Sequence, residues 1–176
     1  MAEQQKREFK RRPREREEVR DEFERKNVSI RRVNKTTKGG RNMSFSSLVV
    51  AGNKKGQVGM GLSKAIEVPA AIEKAGKAAR KAVISVPVVN GTIPHAVTGK
   101  FAKTSVKMLP SKPGSGLIAG GAARIVLDLA GYTDITAKIY GSTDKINVVR
   151  ATIEGLKQLR TKEQVAMLRG KSVEEI

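Results

Sequence analysis

The sequence predicts an α+β protein built from two units in tandem, and three observations predict it. Short runs with every second residue apolar recur between residues 27 and 62, and a helical repeat of apolar residues follows at 67–83. A second mixture of strand-like and helix-like runs covers residues 84–160. Within each unit strands come in groups before a helix, the order expected when helices cover one face of an antiparallel sheet.

Residues 1–26 stand outside this pattern. They hold ten Lys/Arg, eight Asp/Glu and few apolar residues beyond Phe9, Val19 and Phe23. Such a segment buries too little surface to offset its ordering entropy. It is expected to be a disordered charged tail, with helix nearer 19–25.

The first unit is expected over 27–84. Val28 and Ile30 alternate with polar neighbours and begin a strand. Residues 33–44 read as a loop with Lys35, Lys38 and Arg41, no acid, and the pair Gly39-Gly40 at its tip. Residues 45–51 form a second strand, and 52–56 (Gly-Asn-Lys-Lys-Gly) a short hairpin turn. In the third strand Val58, Met60 and Leu62 share one face, Gly59 and Gly61 the other. Glycine on one strand face marks close approach of another backbone, expected here to be protein. The helix at 67–83 opens with Glu67 and Pro69, which suit a helix N-terminus. Val68, Ile72, Ala75 and Ala79 form its inner face; Lys74, Lys77 and Lys81 lie outside.

The second unit is expected over 85–160. Residues 85–93 continue as strand with Val86, Val88 and Val89, then turn at Asn90-Gly91. Strands follow at 95–103 and 104–109, a Pro/Gly-rich loop at 110–116, a small-residue helix at 119–130 closed by Gly131, and a strand at 133–140. Residues 147–160 form an amphipathic helix burying Val149, Ile153, Leu156 and Leu159. Thr161-x-x-Gln164 is a capping box for a helical tail over 161–176, and Ser172-x-x-Glu175 starts another turn.

Charge points to the partner. The net charge is +18, and residues 27–127 hold seventeen Lys/Arg against two acids, Glu67 and Glu73. Solubility needs no such one-sidedness; a polyanion does. There is no cysteine and no apolar run near the roughly 18 residues of a membrane span, so a cytoplasmic protein without disulfides is expected. Aromatics make up only 3% of the chain, fewer than single-strand binders built on stacking usually carry.

An enzyme is not expected. His95 is the only histidine, and nothing nearby supplies a nucleophile with its base and orienting group. Gly114-Ser-Gly116-Leu-Ile-Ala119 fits the loose G-x-G-x-x-A form, but Pro110 and Pro113 separate it from the preceding strand. No phosphate-binding G-x-x-x-x-G-K-[ST] occurs. No metal and no cofactor are expected.

Three long stretches then carry a resemblance. Lys38-Gly-Gly-Arg-Asn-Met-Ser-Phe-Ser-Ser-Leu-Val-Val-Ala-Gly52, Gly56-Gln-Val-Gly-Met-Gly-Leu-Ser-Lys-Ala-Ile-Glu-Val-Pro-Ala-Ala-Ile72 and Tyr140-Gly-Ser-Thr-Asp-Lys-Ile-Asn-Val-Val-Arg-Ala-Thr-Ile-Glu-Gly-Leu156 resemble the bacterial small-subunit ribosomal protein S-five family. So do Gly91-Thr-Ile-Pro-His95 and Leu117-Ile-Ala-Gly-Gly-Ala-Ala-Arg124. The resemblance implies a double-stranded-RNA-binding-like β-β-β-α domain followed by a β-α-β-α domain with a left-handed crossover. It implies a single-copy structural constituent of the small ribosomal subunit, without membrane contact. Ribosomal RNA and proteins S-four and S-eight would be its partners, near the messenger RNA entry path. Roles in assembly and decoding accuracy follow, and the loop at 33–41 would reach toward the RNA helix where spectinomycin binds. The RNA contacts expected on this basis and from charge are Arg31, Arg32, Asn34, Lys35, Lys38, Gly39, Gly40, Arg41, Lys54, Lys55, Lys100 and Lys103. Gly116 and Arg124 match the S-four contact. The chain departs from the family's Lys-Pro-Ala-Ser-x-Gly-Thr-Gly at Leu109-Pro-Ser-Lys-Pro-Gly-Ser-Gly116.

Overall fold

The computed structural model describes residues 23–172 and Glu175. The first sheet is formed by β1 (Glu24–Thr37), β2 (Gly40–Gly52), β3 (Gln57–Ala65) and β4 (Val83–Ser85), antiparallel and in sequence order, with α1 (Val68–Lys81) between β3 and β4. The second contains β5 (Val97–Phe101), β6 (Thr104–Pro110), β7 (Leu117–Ile118) and β8 (Ile135–Gly141) in the order β5-β6-β8-β7. Helix α2 (Gly121–Ala130) connects β7 to β8, which run parallel; α3 (Lys145–Lys157) and α4 (Lys162–Arg169) follow.

Strand alternation gives the first sheet two buried faces. Val49 and Ala51 of β2 and Gly61 and Gly59 opposite them on β3 face α1, whose Ala71, Ala75, Gly76 and Ala79 are buried. The inner face expected at Ala75 and Ala79 is there; Val68 and Ile72 are only half-buried, because the helix is rotated toward Ala71. A Cβ on Gly61 would overlap the Ala75 carbonyl oxygen, so the strand glycines do mark contact with protein backbone. Leu48, Val50 and Val58 point the other way, into a core shared with α2, α3 and the second sheet. Leu62 lies on that face but is exposed.

Four local expectations need correction. Glu24, Arg25 and Lys26, assigned to the tail, are in β1, and Phe23 before them is a bend, so the helix expected over 19–25 is absent from residues 23–25; residues 1–22 lie outside the described residues. Residues 33–44 are no loop: β1 and β2 stay paired to Thr37↔Gly40, and only Lys38-Gly39 joins them. The apolar alternation fades there because β3 pairs with β2 only from Phe45 inward, leaving a ribbon with both faces in solvent. The strand expected over 85–93 ends at Ser85. Val86 N–H donates to Gly56 O at 2.7 Å, and Pro87 has no N–H with which to continue. The two-residue strand β7 interrupts what read as loop followed directly by helix.

Other local readings hold. At Asn90-Gly91 both residues have positive φ (49° and 75°), as a type I′ turn requires, and Val89 and Thr92 exchange backbone hydrogen bonds. Val149, Ile153, Leu156 and Leu159 are buried. The capping box has both arms: Gln164 N–H donates to Thr161 Oγ1 at 3.3 Å, and Thr161 N–H to Gln164 Oε1 at 3.1 Å. Glu175 N–H reaches Ser172 O at 3.2 Å.

Candidate nucleic-acid interface

The outer part of the β1–β2 ribbon is exposed and basic. Residues 34–43 are all exposed, and the part beyond Ser44 extends about 15 Å at the usual rise per residue. No Asp or Glu occurs from Asn27 to Gly52. Side-chain alternation and strand register put Arg32, Asn34 and Arg41 on the face continuous with the α1 side, and Lys35 on the opposite face. Lys38 is at the tip. Among the described residues Arg32, Lys35, Lys38 and Arg41 make no salt bridge. The ribbon thus presents cations on both faces. Cβ atoms at Gly39 and Gly40 would meet nothing within 4 Å; only Gly40 carries an unusual φ, +153°. Small tip residues let a phosphate approach the backbone closely.

Arg31 is differently placed. It lies on the face toward the second unit, and its Nη2 donates to Asp144 Oδ1 at 2.6 Å. That guanidinium holds the Asp144 carboxyl below its ordinary range. Asp144 is the N-cap residue of α3, so the pair anchors the ribbon's base to the second unit.

Lys54 is also engaged within the protein. Its Nζ sits 2.6 Å from Glu24 Oε2, in a surface network where Lys26 Nζ meets Asp128 Oδ2, also at 2.6 Å. The backbone of the same turn has a structural task. Lys54 N–H donates to Leu129 O and Gly56 N–H to Ala130 O, at 3.0 and 2.9 Å. These are terminal carbonyls of α2 that have no donor inside the helix. The turn expected at 52–56 therefore caps a helix of the other unit, and only Lys55 is free of these contacts. Nothing in the sequence at either place signals this, since the partners are about seventy residues apart.

Lys100, Lys103 and Lys107 are all exposed. Lys100 and Lys107 stand on the outer face of the second sheet; Lys103 sits in the β5–β6 turn. They are set apart from the ribbon, so the charge forms a belt with one projecting arm. Lys138, on the same outer face, is a basic residue that the sequence reading did not include.

Gly116 and Arg124 are brought together at β7. Arg124 Nη2 donates to Leu117 O at 3.2 Å, beside Gly116. Gly116 has φ +70° and open space where a Cβ would be, so its demand is conformational. Its N–H donates to Asp134 Oδ1 at 2.9 Å. That bond first, then one from Thr133 Oγ1, lowers the Asp134 pKa below its usual 3.8. A carboxylate lowered in the fold contributes stability above its unfolded pKa and loses it as pH falls through the folded one. The Gly116 amide resonance is expected to titrate with a midpoint below 3.8, and to lose that titration in Asp134→Ala; NMR over pH 2 to 6 checks both.

His95 is structural. Nε2 accepts from Arg160 N–H at 3.3 Å while Nδ1 lies 3.1 Å from Ala96 O, which ties the segment after α3 to the connector before β5. No group of three or more His, Cys, Asp or Glu able to hold a metal occurs among the described residues. None of their helices is long and apolar enough to cross a membrane.

Comparison with known proteins agrees with this two-part architecture. Residues 23–87 match the model of the ribosomal protein S5 N-terminal domain, and residues 99–169 that of its C-terminal domain. The small ribosomal subunit protein uS5 of Mycoplasmopsis agalactiae is 52% identical over 160 residues, covering 90% of this chain and 69% of the relative. That of Thermotoga neapolitana is 51% identical over 156 residues, covering 89% and 88%. The Thermotoga maritima protein is 50% identical over the same length and coverage.

Proposed function

The chain belongs to the ribosomal protein S5 family, and we propose that in the small ribosomal subunit, where it is a structural and non-catalytic constituent, its β1–β2 ribbon is the arm that grips ribosomal RNA. One observation carries this reading. Among the described residues the ribbon leaves the sheet at Phe45 and gains no further strand partner beyond it, yet it holds four cations without a salt bridge and no acid. A β-ribbon exposed on both faces is otherwise a liability for edge pairing; a polyanion gives it a use. Lysine and arginine contacts to phosphate supply affinity by counterion release and set position without reading sequence. RNA helices are recognised largely through shape and backbone, which suits a chain so poor in aromatics.

The same reading assigns the tip at Lys38-Gly39-Gly40 to the RNA helix that binds spectinomycin. It assigns the β7 corner, with Gly116 and Arg124, to protein S-four, through which decoding accuracy is affected. The supports are the positive φ of Gly116 and the exposure of Arg124. Protein S-eight is the further neighbour, for which α4 offers the exposed apolar side chains Met167 and Leu168. The domains are those expected over 27–84 and 85–160, the first extended back to Glu24 by β1 and forward to Ser85 by β4, with the messenger RNA entry path nearby. The test is a cryo-EM map of small subunits carrying this chain after a high-salt wash. The chain is expected to remain bound, with the ribbon tip within hydrogen-bond distance of phosphates. A ribbon pointing into solvent would defeat the assignment.

A further inference from the structure

The fold leaves the outer face of the second sheet open, because α2 and α3 pack on its other side. Alternation places Lys100 of β5, Lys107 of β6, and Lys138 and Tyr140 of β8 on that face, all of them exposed. Strand register puts Lys107 directly opposite Lys138. Like charges so opposed destabilise an antiparallel pair. Nothing relieves them: β5, β6, β7 and β8 contain no Asp or Glu, and neither lysine is ion-paired among the described residues. Tyr140 is the second observation. The chain has two tyrosines; Tyr132 is buried with its hydroxyl donating to Pro87 O at 2.8 Å, whereas Tyr140 is 52% exposed. It lies two residues from Lys138 on one strand, about 7 Å along it, and opposite Ser105, which is paired in turn with Lys100.

We propose that this face binds an unpaired stretch of RNA, with phosphates over Lys107 and Lys138 and a base stacked on Tyr140. An aromatic ring on an open sheet, ringed by lysines, is the arrangement that holds single-stranded bases. A duplex keeps its base faces covered and leaves Tyr140 unused. An acidic protein surface meets the lysines but supplies no flat partner for the ring. The uncompensated lysine pair is then a stability cost retained for binding. The inference rests on reading the chain as an RNA-bound ribosomal constituent and adds a surface separate from the ribbon.

The test uses the full chain and two labelled probes, a mixed-sequence single strand of about 12 nucleotides and an RNA hairpin duplex, followed by fluorescence anisotropy across a salt series. Lys107→Thr/Lys138→Thr is expected to weaken single-strand binding about tenfold or more and to lower the salt slope by about 1.4. Tyr140→Ala is expected to weaken it by about fivefold to a hundredfold, while Tyr140→Phe retains it. Urea stability of the lysine variant should stay level or rise, since a repulsive pair is removed, so lost binding cannot be put down to unfolding. Ribbon variants should keep single-strand binding and lose duplex binding, which separates this proposal from the one above. Wild-type single-strand affinity in both sheet variants overturns the proposal, whatever the ribbon variants do. So does crosslinking of Tyr140 in intact subunits to protein alone.

Discussion

Gly99→Val is expected to cost about 3 kcal/mol or more of stability, the upper end for overpacking a well-filled core. The position lies on the inner face of β5, where α3 crosses it. A Cβ there would overlap the Ala151 carbonyl oxygen and come within 2.6 Å of Gly155 N, and Gly155 has no side chain that can yield. Backbone would have to separate from backbone. Gly61→Val should behave alike in the first unit, where a Cβ overlaps the Ala75 carbonyl oxygen and stands 2.5 Å from Ala79 N. Each substitution lifts a helix off its sheet and exposes apolar surface beneath. Gly39→Val is the control: its Cβ meets nothing and its φ is ordinary, so stability should not move. Urea denaturation of the three variants checks the ranking. A Gly99→Val protein as stable as wild type would mean that the helix–sheet contact is not as close as described.

Lys35→Glu/Lys38→Glu should leave the fold intact and weaken binding to small-subunit ribosomal RNA by roughly tenfold to a hundredfold at low salt. Each lost phosphate contact should lower the salt slope by about one. Both residues are exposed and make no salt bridge among the described residues, so melting temperature and far-UV circular dichroism should match wild type. Arg31→Glu should differ in kind. It breaks the bond to Asp144 and sets two negative groups together at the start of α3, so its main effect falls on stability. Cells carrying the double lysine variant are expected to show slowed subunit assembly or altered spectinomycin response. RNA affinity and drug response both at wild-type levels would remove the ribbon from the interface.

Much of the fold was legible because much of it is local. The capping box at Thr161 and Gln164, the I′ turn at Asn90-Gly91, the helix stop at Gly131 and the buried stripe of α3 each depend on residues within a few positions of one another. The strand glycines of β3 were legible as a demand for close approach, though not as to which helix meets it. What misled was the fading of apolar alternation after Val33. A ribbon in solvent needs no apolar face, so its pairing left no trace beyond a polar, glycine-tipped stretch that reads like a loop. The start of β1 was hidden for a related reason: Glu24 and Lys26 look like tail, but pair with Lys54 and Asp128.

By itself the sequence determined the two-unit α+β plan, the basic belt over 27–127, the lack of catalytic chemistry and the family. These follow from composition, short-range periodicity and long ordered motifs. Only the tertiary structure decided which cations are available. It takes Arg31 into a contact between the units and Lys54 into an ion pair with Glu24 of its own unit, leaves Lys35 and Lys38 on a projecting arm, and sets Lys107 against Lys138 beside Tyr140. The reason is physical. A period of two tells which side of its own strand a residue faces, whereas partners across strands and between units depend on register and packing over tens of residues. Charge is a property of the chain, but the freedom of a charge to meet a phosphate is a property of what the fold has already placed beside it.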